Sequence, residues 1–234
     1  MLESIVQKLS SLAESKIAEI NFDPSRFNDE VALKTEWTPC KWHGTNFKTH
    51  SFKQKSADLA EFSASMQVML FAAIFFIAGV AVPAYFGLSF FRNNSNMLMF
   101  LPVLPLAGLF WVIVGIFILR KYAKPIVFDR QSGLYLKGRR KLPLHSADMG
   151  KATDMAKLSD IHAIQILQEY CQDRTNSRSS SNESRPFYSY ELNLILKDGS
   201  RLNVIDHSGK DRLVQDAEQL ANFLSIPVWN AIPG

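Results

Sequence analysis

The chain has 234 residues, 47% of them apolar, a formal net charge of +4 and two cysteines. Cys40 and Cys171 form no spaced set, which excludes a disulfide framework and a zinc-ribbon pattern. The apolar residues are concentrated in one stretch between polar flanks, about 65 residues before it and about 115 after it, and only the second flank is long enough for a small domain of its own.

Residues 1–20 place Leu2, Ile5, Val6, Leu9, Leu12, Ala13, Ile17 and Ile20 on one face at helical spacing, predicting an amphipathic helix. Its polar face mixes Glu with Lys and lacks the basic excess of membrane-surface anchors. The reading is therefore a helix docked on its own domain or on a second copy. Glu3, Lys8, Glu14, Lys16 and Glu19 interrupt any signal-peptide core, so the first long apolar segment is expected to serve as the insertion signal. Asp23-Pro24 ends the helix. Within 21–65, residues 31–37, 46–53 and 59–65 read as short strands separated by Pro39, Gly44 and a polar turn at 56–58. So few strands bury little by themselves. They are expected to complete a sheet begun beyond the apolar stretch, or to form a lid on it.

Residues 66–119 contain two apolar segments, 66–91 and 97–119, around Arg92-Asn93-Asn94-Ser95-Asn96. No charged residue lies between Glu61 and Arg92, and Arg92 is the only one before Arg120. Each segment exceeds the roughly 20 residues that cross a bilayer core as a helix, predicting a transmembrane hairpin. Pro83 lies inside the first span, Pro102 and Pro105 near the outer end of the second, and Tyr122 where an interfacial aromatic belongs. Neither span carries Asp, Glu, Lys, Arg or His, which argues against a carrier or pump. Gly79, Ala84, Gly87, Ala107, Gly108 and Gly115 permit close helix contact. Asn93-Asn94-Ser95 matches a glycosylation triplet but abuts the membrane, and reads as chance.

Residues 120–141 hold eight basic side chains, Arg120, Lys121, Lys124, Arg130, Lys137, Arg139, Arg140 and Lys141, against Asp129 alone. The loop between the spans offers only Arg92. The positive-inside rule then puts both flanks, and both termini, in the cytoplasm. Beyond Tyr122, residues 126–129 and 134–137 flank the turn Arg130-Gln131-Ser132-Gly133. Residues 141–157 read as a loop. A strand runs from 158 to about 170, with Ile161, Ala163, Gln165 and Leu167 on one side and His162, Ile164, Ile166 and Gln168 on the other. Residues 173–185 are Ser- and Arg-rich and read as a flexible loop. Strands at 188–197 and 201–206 meet at Lys197-Asp198-Gly199-Ser200, a strong hairpin signal. Ser208-x-x-Asp211 suggests a capping box opening a helix over 209–224, whose stripe of Leu213, Val214, Ala217, Leu220, Ala221 and Leu224 faces a core. Pro227 stops it, and Trp229 folds back on the domain.

The order Phe128-Asp129-Arg130-Gln131-Ser132-Gly133-Leu134-Tyr135, Leu158-Ser159-Asp160-Ile161, Tyr190 through Ser200 and the closing helix resembles the bacterial pleckstrin-homology-like domains. The resemblance covers 120–230 and implies a bent, mainly antiparallel sheet plugged by the helix. It is also similar to two-span bacterial membrane proteins with such domains. The strands before the hairpin are a departure from that pattern.

Chemistry is sparse. Cys40, His43 and His50 are too loosely spaced for a metal site, and no metal or cofactor is expected. No Gly-x-Ser-x-Gly elbow or glycine-rich phosphate loop occurs. The basic run serves first as a topology signal. As a binding surface, Arg120, Lys121, Lys124, Arg139, Arg140 and Lys141 would meet anionic lipid headgroups, at about 1 kcal/mol per cation. No aromatic platform accompanies it, so nucleic acid is not an expected partner. The reading is a membrane α + β protein: a two-helix hairpin joined to a mainly antiparallel, PH-like cytoplasmic domain at 120–234, in a bacterial inner membrane. Its expected role is a non-enzymatic interaction module for a protein partner, a second copy or anionic lipid. The alternatives are an accessory or assembly subunit of a larger membrane complex, or an enzyme using His50, His162, Asp206 and His207 between the strands before and after the hairpin.

Overall fold

The computed structural model describes residues 22–40, 47–92, 103–138, 155–171 and 187–233. The expected helix at 1–20, the loop at 93–96 and Arg139, Arg140 and Lys141 lie outside the described residues. A 3-10 turn, Pro24–Phe27, follows Asp23, whose carboxylate accepts the Ser25 amide at 2.9 Å. Next comes a single helical turn, α1 (Glu30–Lys34), where the sequence suggests a strand over 31–37. Asp29 decides this. Its carboxylate accepts the Val31 and Ala32 amides at 2.8 and 3.4 Å, a cap worth about 1 kcal/mol that the alternation of Val31 and Leu33 conceals.

Strands β1 (His50–Gln54) and β2 (Leu59–Ala64) pair antiparallel, Phe52 opposite Phe62. The chain then runs through α2 (Met66–Arg92) and α3 (Val103–Tyr122), the two long apolar helices, and returns as β3 (Ile126–Asp129). β3 pairs with β2, Phe62 opposite Ile126 and Ala60 opposite Phe128. The helical hairpin is therefore an insertion between two hydrogen-bonded strands, and the strands before it share a sheet with those after it.

α2 continues through Pro83 unbroken. The helices touch most closely where glycine faces glycine: a Cβ on Gly108 would stand 2.4 Å from the Gly79 carbonyl oxygen and 2.8 Å from Pro83 Cγ. Farther along, a Cβ on Gly115 would stand 3.1 Å from the Phe76 ring. Gly87, by contrast, has no neighbour within 4 Å of such a Cβ among the described residues.

β4 (Leu134–Lys137) follows β3 across the predicted turn, where Gly133 takes φ +69° and Asp129 Oδ1 accepts the Gln131 and Ser132 amides. β5 (Met155–Lys157) then pairs with β4, which corrects the reading of a loop up to residue 157. Three residues with a single apolar anchor, Met155, carry no strand signal of their own. The first sheet is β1-β2-β3-β4-β5, antiparallel throughout. The second is β8-β7-β6-β9, from β6 (Ile161–Cys171), β7 (Phe187–Leu196), β8 (Arg201–His207) and β9 (Val228–Asn230), with β9 parallel to β6. Residues 158–160 form a 3-10 turn rather than the start of β6.

A register shift between Ile161 and Ala163 overturns the simple alternation expected along β6. Ile161 joins Ile164 and Ile166 in the core, while His162 lies on the opposite face beside Trp229, ring centroids 5.6 Å apart. A bulge inserts one residue, so the faces on its two sides exchange. The last helix, α4 (Lys210–Leu224), begins at an N-cap Gly209 with no side-chain cap. The predicted capping box is not formed: His207 Nδ1 takes the Gly209 amide at 2.6 Å instead. One core lies among the two sheets and α4, holding Phe52, Phe62, Phe128 and Tyr135 from the first sheet, Ile164, Ile166, Leu192 and Leu194 from the second, and Leu213, Ala217 and Leu220 from the helix.

Candidate functional site

Where the hairpin leaves the sheet, its root is fastened on every side. Ser65 caps α2, accepting the Val68 amide at 3.3 Å, and its hydroxyl donates to the Lys48 carbonyl. The Ser65 amide donates to the Thr49 carbonyl at 2.9 Å, and Gln67 Oε1 accepts the Lys48 amide at 3.2 Å. His50 Nε2 donates to the Lys124 carbonyl at 3.0 Å, which makes Nδ1 the acceptor of the Thr49 hydroxyl at 2.9 Å. Burial lowers the His50 pKa, with Lys137 adding to it and the Lys124 carbonyl opposing, so this neutral stitch joins the strand before the hairpin to the segment after it. Phe47 packs edge-on against Tyr122, centroids 5.5 Å apart, at the end of α3.

Of the basic residues singled out from sequence, Arg120 and Lys121 close α3, Lys124 follows it, and all three are exposed. Lys121 Nζ lies 5.2 Å from the Tyr122 ring centroid. Two other members of the basic run face the domain. Arg130 donates to the Ala57 carbonyl at 3.2 Å and to the Phe223 carbonyl, its guanidinium 4.5 Å from the Phe223 ring. Lys137 Nζ donates to the Asn203 carbonyl at 2.6 Å.

Lys48 also connects the root to α4 through a 3.2 Å ion pair with Asp216. Burial raises the Asp216 pKa, and Lys48 and the Phe52 amide pull against it. Beside them His207 is 2% exposed, its Nε2 without a hydrogen-bond partner among the described residues. Burial, reinforced by Lys48 and Arg212, pushes its pKa down to about 4.

The outer face of the second sheet is covered by residues 22–40. Gln165, Asn193 and Glu191, at 0, 0 and 2% exposure, form a polar row that receives main-chain groups of this strap. Gln165 Nε2 donates to the Glu36 carbonyl at 3.0 Å, and Glu191 Oε2 accepts the Cys40 amide at 2.8 Å and Asn193 Nδ2 at 3.0 Å. Arg201 donates to the Thr38 carbonyl and to the Glu36 carboxylate at 2.8 Å. Farther along, Phe27 stacks on both Trp37 and Trp229. His162 Nε2 contacts Asp29 Oδ2 at 2.7 Å. Partial burial pushes the Asp29 carboxyl up, and the hydrogen bonds from His162, Val31 and Ala32 outweigh it, leaving it below the usual value.

The four residues of the enzyme alternative are thus held in separate sets of contacts. His50 lies at the root and His162 under the strap, Asp206 accepts Asn203 Nδ2 at 2.9 Å, and His207 accepts the Gly209 amide just before α4. Cys40 keeps an exposed edge, yet desolvation of its thiol and the Glu191 carboxylate push it up to about 11, far from a reactive thiolate. Among the described residues no three His, Cys, Asp or Glu side chains gather to hold a metal ion. Three sheet edges carry a side-chain contact on their backbone: the Phe52 amide of β1 to Asp216, the Asn203 carbonyl of β8 to Lys137, and the Asn230 carbonyl of β9 to Arg26. Such contacts obstruct addition of a partner strand.

Sequence reasoning passed over the polar row and the Lys48–Asp216 pair. Glu191 and Asn193 alternating with Leu192 and Leu194 mark a polar sheet face, but nothing local says that the chain's own N-terminal segment covers it. No protein-family model matches the chain, and neither a curated protein nor a solved structure does.

Proposed function

We propose that this chain is a two-span protein of the bacterial plasma membrane whose β domain is a non-enzymatic interaction module held against the cytoplasmic surface. The observation that carries it is the surface of the hairpin. Among the described residues, twenty large apolar side chains of α2 and α3 are exposed, against four in the rest of the chain. Only 17% of each candidate span is buried, unlike the core helix of a soluble protein. Burying one such side chain is worth roughly 1.5–3 kcal/mol. Leaving twenty in water therefore forgoes more than the roughly 5–15 kcal/mol by which a domain is stable. The pairing of β2 with β3 supports a reading with both flanks on one side, and the basic excess after the second span favours the cytoplasm as that side. Two sheets rich in antiparallel pairs around a closing helix agree with the PH-like resemblance. The dispersal of the candidate catalytic residues favours binding over catalysis.

Cysteine accessibility tests this. With Cys40 and Cys171 replaced by Ser, Asn94→Cys should react with an impermeant maleimide in intact spheroplasts. Lys55→Cys and Lys197→Cys should react only after permeabilisation. Labelling of either domain position from outside, or different behaviour of the two, overturns the reading.

A further inference from the structure

We propose that Arg120, Lys121 and Lys124, with the Tyr122 ring beneath Lys121, form a recognition site for anionic phospholipid headgroups at the hairpin root; this rests on the membrane reading above.

The three cations differ from other cations of the domain. Lys48, Lys55 and Arg201 are ion-paired with Asp216, Glu61 and Glu36, and Arg130 and Lys137 are turned onto carbonyls of the domain. Arg120, Lys121 and Lys124 are exposed and make no ion pair among the described residues. They follow directly on the exposed apolar side chains of Ile116 and Phe117, at the boundary where acyl chains give way to phosphate. A structural role at the helix C-terminus accounts for part of the cluster, since cations there offset the partial negative charge of the last carbonyls. It does not account for Lys124, which lies beyond the end of α3 while its own carbonyl is held by His50. The Phe47–Tyr122 pair gives the site a rigid aromatic side at interfacial depth. Asp129, the one acid in this stretch, is at the far end of β3, its carboxylate committed to the Gln131 and Ser132 amides. Among the described residues no carboxylate pairs with this charge. Such a site selects headgroup charge rather than headgroup identity.

Trp111, halfway along α3 and the one of the chain's four tryptophans within a candidate span, provides the readout. The full chain is reconstituted in phosphatidylcholine vesicles with a minor fraction of either brominated phosphatidylglycerol or brominated phosphatidylcholine, and tryptophan quenching is compared. The expected result is stronger quenching by the anionic lipid, a preference that falls up to about fivefold for each cation removed and fades in high salt. The triple variant R120Q/K121Q/K124Q should lose it. K55Q, at the opposite end of β1, should keep it. Equal quenching by both lipids in the wild type, or an unchanged preference in the triple variant, overturns the proposal. So does a missing lipid preference accompanied by an acidic protein retained through these three residues. Absence of quenching by either lipid points instead to failure of the membrane reading, because Trp111 would then lie outside the acyl region.

Discussion

His207 holds the Gly209 amide ahead of α4 only in its neutral form, because its Nδ1 must accept that hydrogen bond. The folded state binds this proton at about pH 4 and the unfolded chain near 6.5. The stabilisation is therefore complete above pH 6.5 and is lost as the pH falls toward 4, by up to about 3 kcal/mol. Asp216 acts in the opposite sense: its pKa is raised on folding, so acid relieves a penalty there and offsets part of the loss. Thermal melts in mild detergent should show stability falling from pH 6.5 to 4. His207→Asn, whose side-chain carbonyl can accept the same amide, should flatten that dependence. Parallel curves for the two proteins would refute the assignment. None of this was legible at residue 207. From sequence it is a histidine after a strand, and its chemistry depends on burial under α4 and on Lys48, which arrives from the other side of the hairpin.

Elements with a local signal were legible. Asp198-Gly199 builds its turn, with Gly199 at φ +86° and Asp198 Oδ1 accepting the Ser200 amide at 2.9 Å. The stripe of α4 meets the core as its spacing predicts. Elements fixed by a distant partner were not. β5 exists through its pairing with β4, the bulge at Ile161–Ala163 reverses an otherwise sound alternation, and α1 follows from one capping carboxylate. Glycine positions in the hairpin fall between these cases. Their number suggested close approach, but only the structure separates Gly79 and Gly108, which touch across the helices, from Gly87, which meets nothing among the described residues. Gly108→Ala should force the Gly79 carbonyl away and lower stability in detergent denaturation by about 1–3 kcal/mol. Gly87→Ala should change it little. A harmless Gly108→Ala would show that the helices are not packed at this point.

For the whole molecule, the β domain is predicted to be complete without its hairpin. Removing residues 66–122 leaves Ser63, Ala64, Ser65, Ala123, Lys124 and Pro125 between the paired Phe62 and Ile126, an ordinary length for a strand connection. With Asn-Gly added between Ser65 and Ala123, the shortened protein should be soluble and monomeric and keep a cooperative thermal transition. An insoluble or non-cooperative product would show that the helices contribute to the fold itself. The same adjacency of β2 and β3 sets an order of events during synthesis. Residues 59–62 are synthesised long before 126–129, and they cannot pair until the whole stretch between them has been made. If the two helices span a bilayer as proposed, a chain that inserted only one of them would leave β2 and β3 on opposite faces, with Phe52, Phe62 and Ile126 uncovered and open to proteolysis. For the two-span protein proposed above, closure of the sheet would act as a built-in proof-reading of membrane insertion, completed only by molecules whose two spans are both in place.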